Sequence, residues 1–262
     1  MATKKGDAIN ALNRKSPIWH AVIWIVAYVA LVNVGDWLSE LIGKPNLATS
    51  VLLVAFSIGL IFYVARNGWL SFYGLGPLRK NSFTGTWLYI PLAVIAALQL
   101  FKGFKENLDV TAVLLIVVLM ICVGFIEELL FRGFLFKGIL TKGTLTRAVL
   151  ISGVTFGIGH VVNLARGYTG TEQLLQIGFA IVVGIVLALL FAVTGTIIPL
   201  IIFHILFNIG GNLTASNSEY DFVVLLATVV ISIGYGAYLV GRLRRHGAGQ
   251  GVRDSTLPPE IR

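Results

Sequence analysis

Long apolar runs separated by short, mostly basic intervals set the pattern of this chain. Eight runs stand out: Ile18–Leu38, Leu47–Ala65, Thr86–Phe101, Val110–Phe136, Ala148–Ala165, Leu174–Val193, Ile197–Leu213 and Phe222–Val240. Each comes close to the roughly 20 residues that a helix needs to cross the hydrocarbon core of a bilayer. The third and seventh are short, and a proline, Pro199, stands near the start of the seventh. The fourth is longer than a bilayer requires. At 1.5 Å per residue it reaches about 40 Å against a core of about 30 Å, so it tilts or protrudes on one side. The pattern predicts an all-α, polytopic transmembrane helical bundle of about eight spans, with no soluble domain, internal repeat or long linker.

Composition agrees. Of the 262 residues 56% are hydrophobic and 12% charged, where a soluble chain carries about a quarter charged residues. By this span count, sixteen of the 20 Lys and Arg fall on the side that holds both termini and four on the other. Basic residues accumulate on the cytoplasmic side of a membrane, so both termini are expected there. The net charge of +8 then belongs to contact with anionic lipid. It does not indicate nucleic acid, for which no basic, aromatic surface is present. Residues 1–17 read as a basic cytoplasmic N-terminal segment and 18–245 as a single transmembrane domain. Residues 246–262, rich in Gly, Pro and polar side chains, read as a disordered cytoplasmic tail. The first run has no small-residue cleavage site at its end, which marks a retained span and not a signal peptide. Residues 138–148 (GILTKGTLTRA) read either as an interfacial amphipathic segment or as a plain cytoplasmic loop. The protein is thus expected to be a multi-pass integral protein of the cell membrane, or of the endoplasmic reticulum membrane in a eukaryote.

Few ionisable or histidine side chains interrupt the runs. Each such charge costs roughly 2.5–3.5 kcal/mol on insertion scales, which makes function its default explanation. The fourth run holds Glu127, Glu128 and Arg132. Glu128 and Arg132 can pair on one helix face, while Glu127 is turned by about 100° and left for another partner. The fifth run holds His160, and the seventh holds His204 and Asn208 on one face. At 1.5 Å per residue, Glu127 lies about 14 Å, His160 about 18 Å, His204 about 10 Å and Asn208 about 16 Å from the cytoplasmic ends of their spans. One shared layer is therefore allowed. Gly153, Gly157 and Gly159 fit close helix packing better than a catalytic role, and Asn163 fits a helix cap. The single cysteine, Cys122, leaves no pairing within the chain and reads as a small core residue. His20 and His246 fall at or beyond the membrane boundary and carry no assignment.

Residue types then suggest chemistry. A buried carboxylate beside imidazoles can act as general base on water, and an asparagine amide can donate to an oxyanion. Glu127, His160 and His204 with a further oxygen donor also make a Zn²⁺ set, since catalytic zinc keeps three protein ligands and an open position. Either arrangement, with a divalent metal or without one, describes hydrolysis of a carbonyl compound inside a membrane. The cysteine takes no part, and no serine stands in a nucleophile motif.

These three segments resemble the motifs of the CPBP (ABI) family of intramembrane proteases, which includes the type II CAAX-prenyl endopeptidases. A glutamate pair, three residues and an arginine match Glu127, Glu128 and Arg132. A phenylalanine four before a histidine matches Phe156 and His160, and a histidine four before asparagine or aspartate matches His204 and Asn208. The resemblance covers about residues 110–212, the expected catalytic core. It implies cleavage of a membrane-associated protein or peptide, prenylated for some members, in a cavity open to the cytoplasm. It also implies that Glu127 activates water with His160. His204 and Asn208 would bind the substrate carbonyl or its oxyanion, or help hold a metal, with Glu128, Arg132 and Phe156 in support. Two other classes compete. A proton-coupled transporter would use Glu and His as a relay, but no repeat or pair of broken helices is visible. A non-catalytic scaffold, as in bacteriocin self-immunity, has little need for side chains this costly.

Overall fold

The computed structural model of the protein describes residues 3–76, 86–161, 170–215, 219–249 and 252. Among these residues there is no β-strand, and ten α-helices follow in chain order. They are α1 Thr3–Lys15, α2 Pro17–Ile42, α3 Leu47–Arg66, α4 Ile90–Leu98, α5 Val110–Glu128, α6 Phe136–Leu140, α7 Leu145–Gly159, α8 Gly170–Thr194, α9 Ile198–Leu213 and α10 Asp221–His246. A π-helical stretch, Leu129–Leu135, joins α5 to α6, so that Val110–Leu140 forms one rod of 31 residues. The local chemistry of several ends is plain. The Asp109 carboxylate accepts from the Ala112 N–H at 2.8 Å to start α5, and the Thr144 hydroxyl accepts from the Arg147 N–H at 3.2 Å to start α7. Pro17 and Pro199 sit at first-turn positions, where a missing N–H costs nothing. Gly43 closes α2 in the left-handed conformation at φ 73°.

All eight apolar runs are helical where they are described. Five helices are long and apolar enough to cross a membrane: α2, α3, the α5–α6 rod, α8 and α10. Three shorter ones, Thr86–Lys102 around α4, α7 and α9, complete the set. Their outward faces carry exposed Val26, Val51, Phe62, Leu114, Val230 and Ile233. An exterior this apolar suits lipid and not water.

Close crossings need glycine. A Cβ on Gly153 or Gly157 of α7 would stand 2.7 Å from the backbone nitrogen of Ile185 or Ile181 on α8. These two glycines therefore serve packing, as the sequence suggested. A Cβ on Gly124 of α5 would stand 2.7 Å from Ile205 Cγ1 of α9. This crossing, one turn before Glu127 and Glu128, brings α9 and its polar face to the carboxylates.

Several expectations change. The fourth run extends past Phe136 to Leu140, because the π stretch continues the rod instead of ending it. Residues 138–148 are not a plain loop. They hold the end of α6, a tight turn and the first residues of α7. The N-terminal segment, expected only as polar and basic, is helical from Thr3 to Lys15. The start of the tail packs: the Gly249 N–H donates to the Ala192 carbonyl at 2.8 Å, and Val252 is buried. The remaining tail positions, 250–251 and 253–262, lie outside the described residues, as does Asn163 with its suggested cap. His20 is not at a boundary in the sense of an exposed end. It is buried in the first turn of α2.

Candidate active site

Glu127 and Glu128 stand at the junction of α5 with the π stretch. Such wider turns inside α-helices gather at functional sites. Here the stretch delivers Arg132 to three neighbours. Its Nη1 donates to Glu128 Oε1 at 2.9 Å, its Nη2 donates to the Gly184 carbonyl of α8 at 3.1 Å, and its guanidinium lies 4.4 Å from the ring centre of Phe156 on α7. Both partners of the ion pair are fully buried. The Ser152 hydroxyl of α7 donates to the Phe131 carbonyl at 2.9 Å and so ties the π stretch to the same helix.

His204 sits between the two carboxylates. Its Nδ1 is 3.0 Å from Glu128 Oε1 and its Nε2 is 3.5 Å from Glu127 Oε2. Glu128 already receives the Arg132 guanidinium and acts only as an acceptor, so Nδ1 carries a proton and donates it. Two carboxylates and one guanidinium would leave a net negative charge in a poorly solvated place, which is costly.

Glu127 is the adaptable member. Its Oε1 accepts from the Tyr28 hydroxyl of α2 at 2.8 Å, while its Oε2 is buried without a hydrogen-bond partner. His160 follows the last residue of α7, with Nδ1 3.1 Å from the Phe156 carbonyl. A carbonyl oxygen only accepts, so Nδ1 carries the hydrogen and Nε2 presents a lone pair. Gln173 Nε2 donates to the His160 carbonyl at 2.9 Å and fixes that helix end. The Phe156 ring packs edge-on against both imidazoles, with centroids 5.1 Å from His160 and 5.7 Å from His204.

A cavity of about 270 Å³ receives these groups, with Tyr28, Glu127, His160, Gln176 and Asn208 among its walls. A smaller one of about 110 Å³ lies beyond His204 and Asn208, against Phe179 and Phe203. Glu127, His160, His204 and Asn208 thus converge as the sequence allowed, with Glu128, Arg132 and Phe156 behind them. Among the described residues no three His, Cys, Asp or Glu side chains are grouped so that they could hold a metal ion. Tyr28, Ser152 and Gln173 were missed. A tyrosine in an apolar first span gives no periodic or charge signal that would connect it to Glu127, 99 positions later.

Fold and site together define a helical membrane protein with an acid–imidazole cluster enclosed by its spans. Residues 109–210, which hold the whole cluster except Tyr28, match the family model described as Rce1-like, type II CAAX prenyl endopeptidase Rce1-like. No curated protein and no solved structure matches the chain.

Proposed function

We propose that the protein is an intramembrane endopeptidase, in which Glu127 activates a water molecule against a peptide bond of a membrane-associated protein or peptide. The family-model match over residues 109–210 supports the protease class. The observation that supports the mechanism is the unfilled Glu127 Oε2, buried beside His204 Nε2 at 3.5 Å, on a residue that lines the cavity. A water between Glu127 and His160 gives its proton to the carboxylate as its oxygen attacks the carbonyl carbon. The resulting oxyanion is held by the His204 imidazole and by the Asn208 amide, which has no partner among the described residues. Glu127 then returns the proton to the leaving amine as the C–N bond breaks. No step passes through a metal. Ile25, Val29, Leu53 and Val123 on the wall suit apolar substrate side chains.

The test is purified protein in nanodiscs incubated with a library of apolar, membrane-inserting peptides and read by mass spectrometry. Defined cleavage products are expected, and a library returned intact counts against the reading. Within it, Tyr28→Phe removes one hydrogen bond from Glu127 while leaving the ring in place. A loss of about 1 kcal/mol makes kcat fall roughly fivefold. KM and thermal stability are expected to stay as in the parent protein, and steady-state kinetics with a thermal melt check both.

A further inference from the structure

We propose that the smaller cavity, between α8 and α9, is a selective pocket for one substrate side chain, that of the residue whose carbonyl is attacked. Ala180 sets the size it takes, which is that of leucine, isoleucine or methionine. The proposal deepens the endopeptidase reading and rests on it.

The packing of the two helices opens this space. α8 lies on α7 through Ile181 and Ile185, which face Gly157 and Gly153. α9 lies on α5 through Ile205, which faces Gly124. Each helix is thus held by a different neighbour, and the faces beside those contacts look at each other across a gap. On α8 that face carries Ala180, Val183 and Leu187, whose spacing of three and four residues puts them on one side of the helix. On α9 it carries Phe203 and Phe207, each next in sequence to His204 or Asn208.

The walls are apolar and the rim is polar. Ala180, Val183, Leu187 and Phe203 are buried. Phe179 of α8 and Phe207 of α9 stack with ring centres 5.7 Å apart and planes 19° from parallel, so they bridge the two helices. His160, Gln176, Asn208 and the Phe156 ring line both this cavity and the larger one. The two spaces therefore meet where the reaction is proposed to take place. An attacked carbon whose oxygen rests on His204 and Asn208 is bonded directly to the Cα of the residue that supplies the carbonyl. The side chain of that residue is the first to reach the smaller cavity, while the rest of the substrate lies in the larger one.

Size and polarity set the selection. The smaller cavity measures about 110 Å³, whereas an apolar protein cavity of about 150 Å³ takes benzene. The short aliphatic or thioether chains of leucine, isoleucine and methionine fit it. An indole does not, and glycine or alanine leaves it unfilled. Among the described residues no Asp, Glu, Lys or Arg lines it, so a charged substrate side chain would be buried unpaired. Ala180 is the smallest side chain among these walls. A larger residue there takes up the room that the substrate needs.

Lysine-flanked alanine peptides that insert into a bilayer, with one central residue changed to Gly, Leu or Trp, test the pocket on the full chain in nanodiscs. Cleavage is expected at the bond after the leucine, and moving the leucine along the peptide moves the cut with it. The Leu peptide should exceed the Gly and Trp peptides by about tenfold or more in kcat/KM. In Ala180→Leu the ratio of Leu to Gly cleavage should fall about tenfold. In Phe179→Ala, which widens the pocket, the ratio of Trp to Leu cleavage should rise by a similar factor. Ratios taken within one preparation do not depend on how much of it is folded. Equal rates for all the peptides, or ratios that neither variant moves, overturn the pocket and leave the endopeptidase. Binding of the same peptides to Glu127→Gln protein, read by fluorescence anisotropy, separates the two claims. A Leu preference in binding that Ala180→Leu abolishes, with no cleavage by the parent protein, removes the enzyme reading and leaves the pocket. Neither cleavage nor a binding preference removes both.

Discussion

Glu127→Gln is expected to give a folded protein that no longer cleaves its peptide, with kcat/KM lower by roughly 10²–10⁴-fold, the range for loss of a general base. The substitution preserves size and leaves an amide oxygen to accept the Tyr28 hydroxyl now 2.8 Å from Oε1. The new NH₂ takes the place of Oε2 beside His204 at nearly the same size, so the shape of the site survives. What disappears is the capacity to take a proton from water. Thermal stability is expected to move by no more than about 2 °C, because no buried charge loses its partner. Kinetics on a cleaved peptide and a melt in the same detergent check the two halves. Full activity in this variant would remove Glu127 from the mechanism. The neighbouring Glu128→Gln should differ in kind. Glu128 receives both Arg132 and His204, so stability falls along with activity.

The spans were legible because lipid imposes one constraint, an apolar run of a given length, and five of the eight runs meet it in full as helices. The four polar side chains were legible for the complementary reason, since each is too costly in lipid to be an accident. What was hidden depends on contacts between distant helices. The double engagement of His204 was not readable, because its spacing to Asn208 says nothing about which carboxylates α9 meets. That meeting rests on Gly124, whose missing side chain admits Ile205. Tyr28 was hidden for a different reason: tyrosines are ordinary at membrane interfaces, and only the fold shows this one bonded to a carboxylate. His20 was set aside from its position near an end, yet its ring packs among Trp24, Tyr63 and Phe134. Depth counted from run ends put Glu127 in the cytoplasmic half. The rod reaches Leu140, so Glu127 stands about 20 Å from that end of the rod and about 25 Å from the other.

Arg132→Met should be the most destabilising single change in the core of the site. It leaves the Glu128 carboxylate buried and unpaired apart from His204, with the Gly184 carbonyl of α8 and the face of Phe156 also deprived of their partner. Removing one member of a buried ion pair costs about 3–5 kcal/mol, which for a chain of this size lowers Tm by roughly 10 °C. The cost comes from the orphaned charge and not from the lost attraction alone. The double variant Glu128→Gln with Arg132→Met is therefore expected to recover much of the melting temperature, since a neutral amide is far cheaper to bury. Thermal melts of the three proteins in one detergent measure it. A single variant as stable as the parent would mean that Arg132 does not hold α5, α7 and α8 together. A double variant no better than the single would mean that the guanidinium contacts to Gly184 and Phe156, and not the pairing with Glu128, dominate. Activity should stay low in the double variant even where stability returns, because His204 loses the carboxylate that accepts its Nδ1–H, and with it the bond that keeps Nε2 turned towards Glu127.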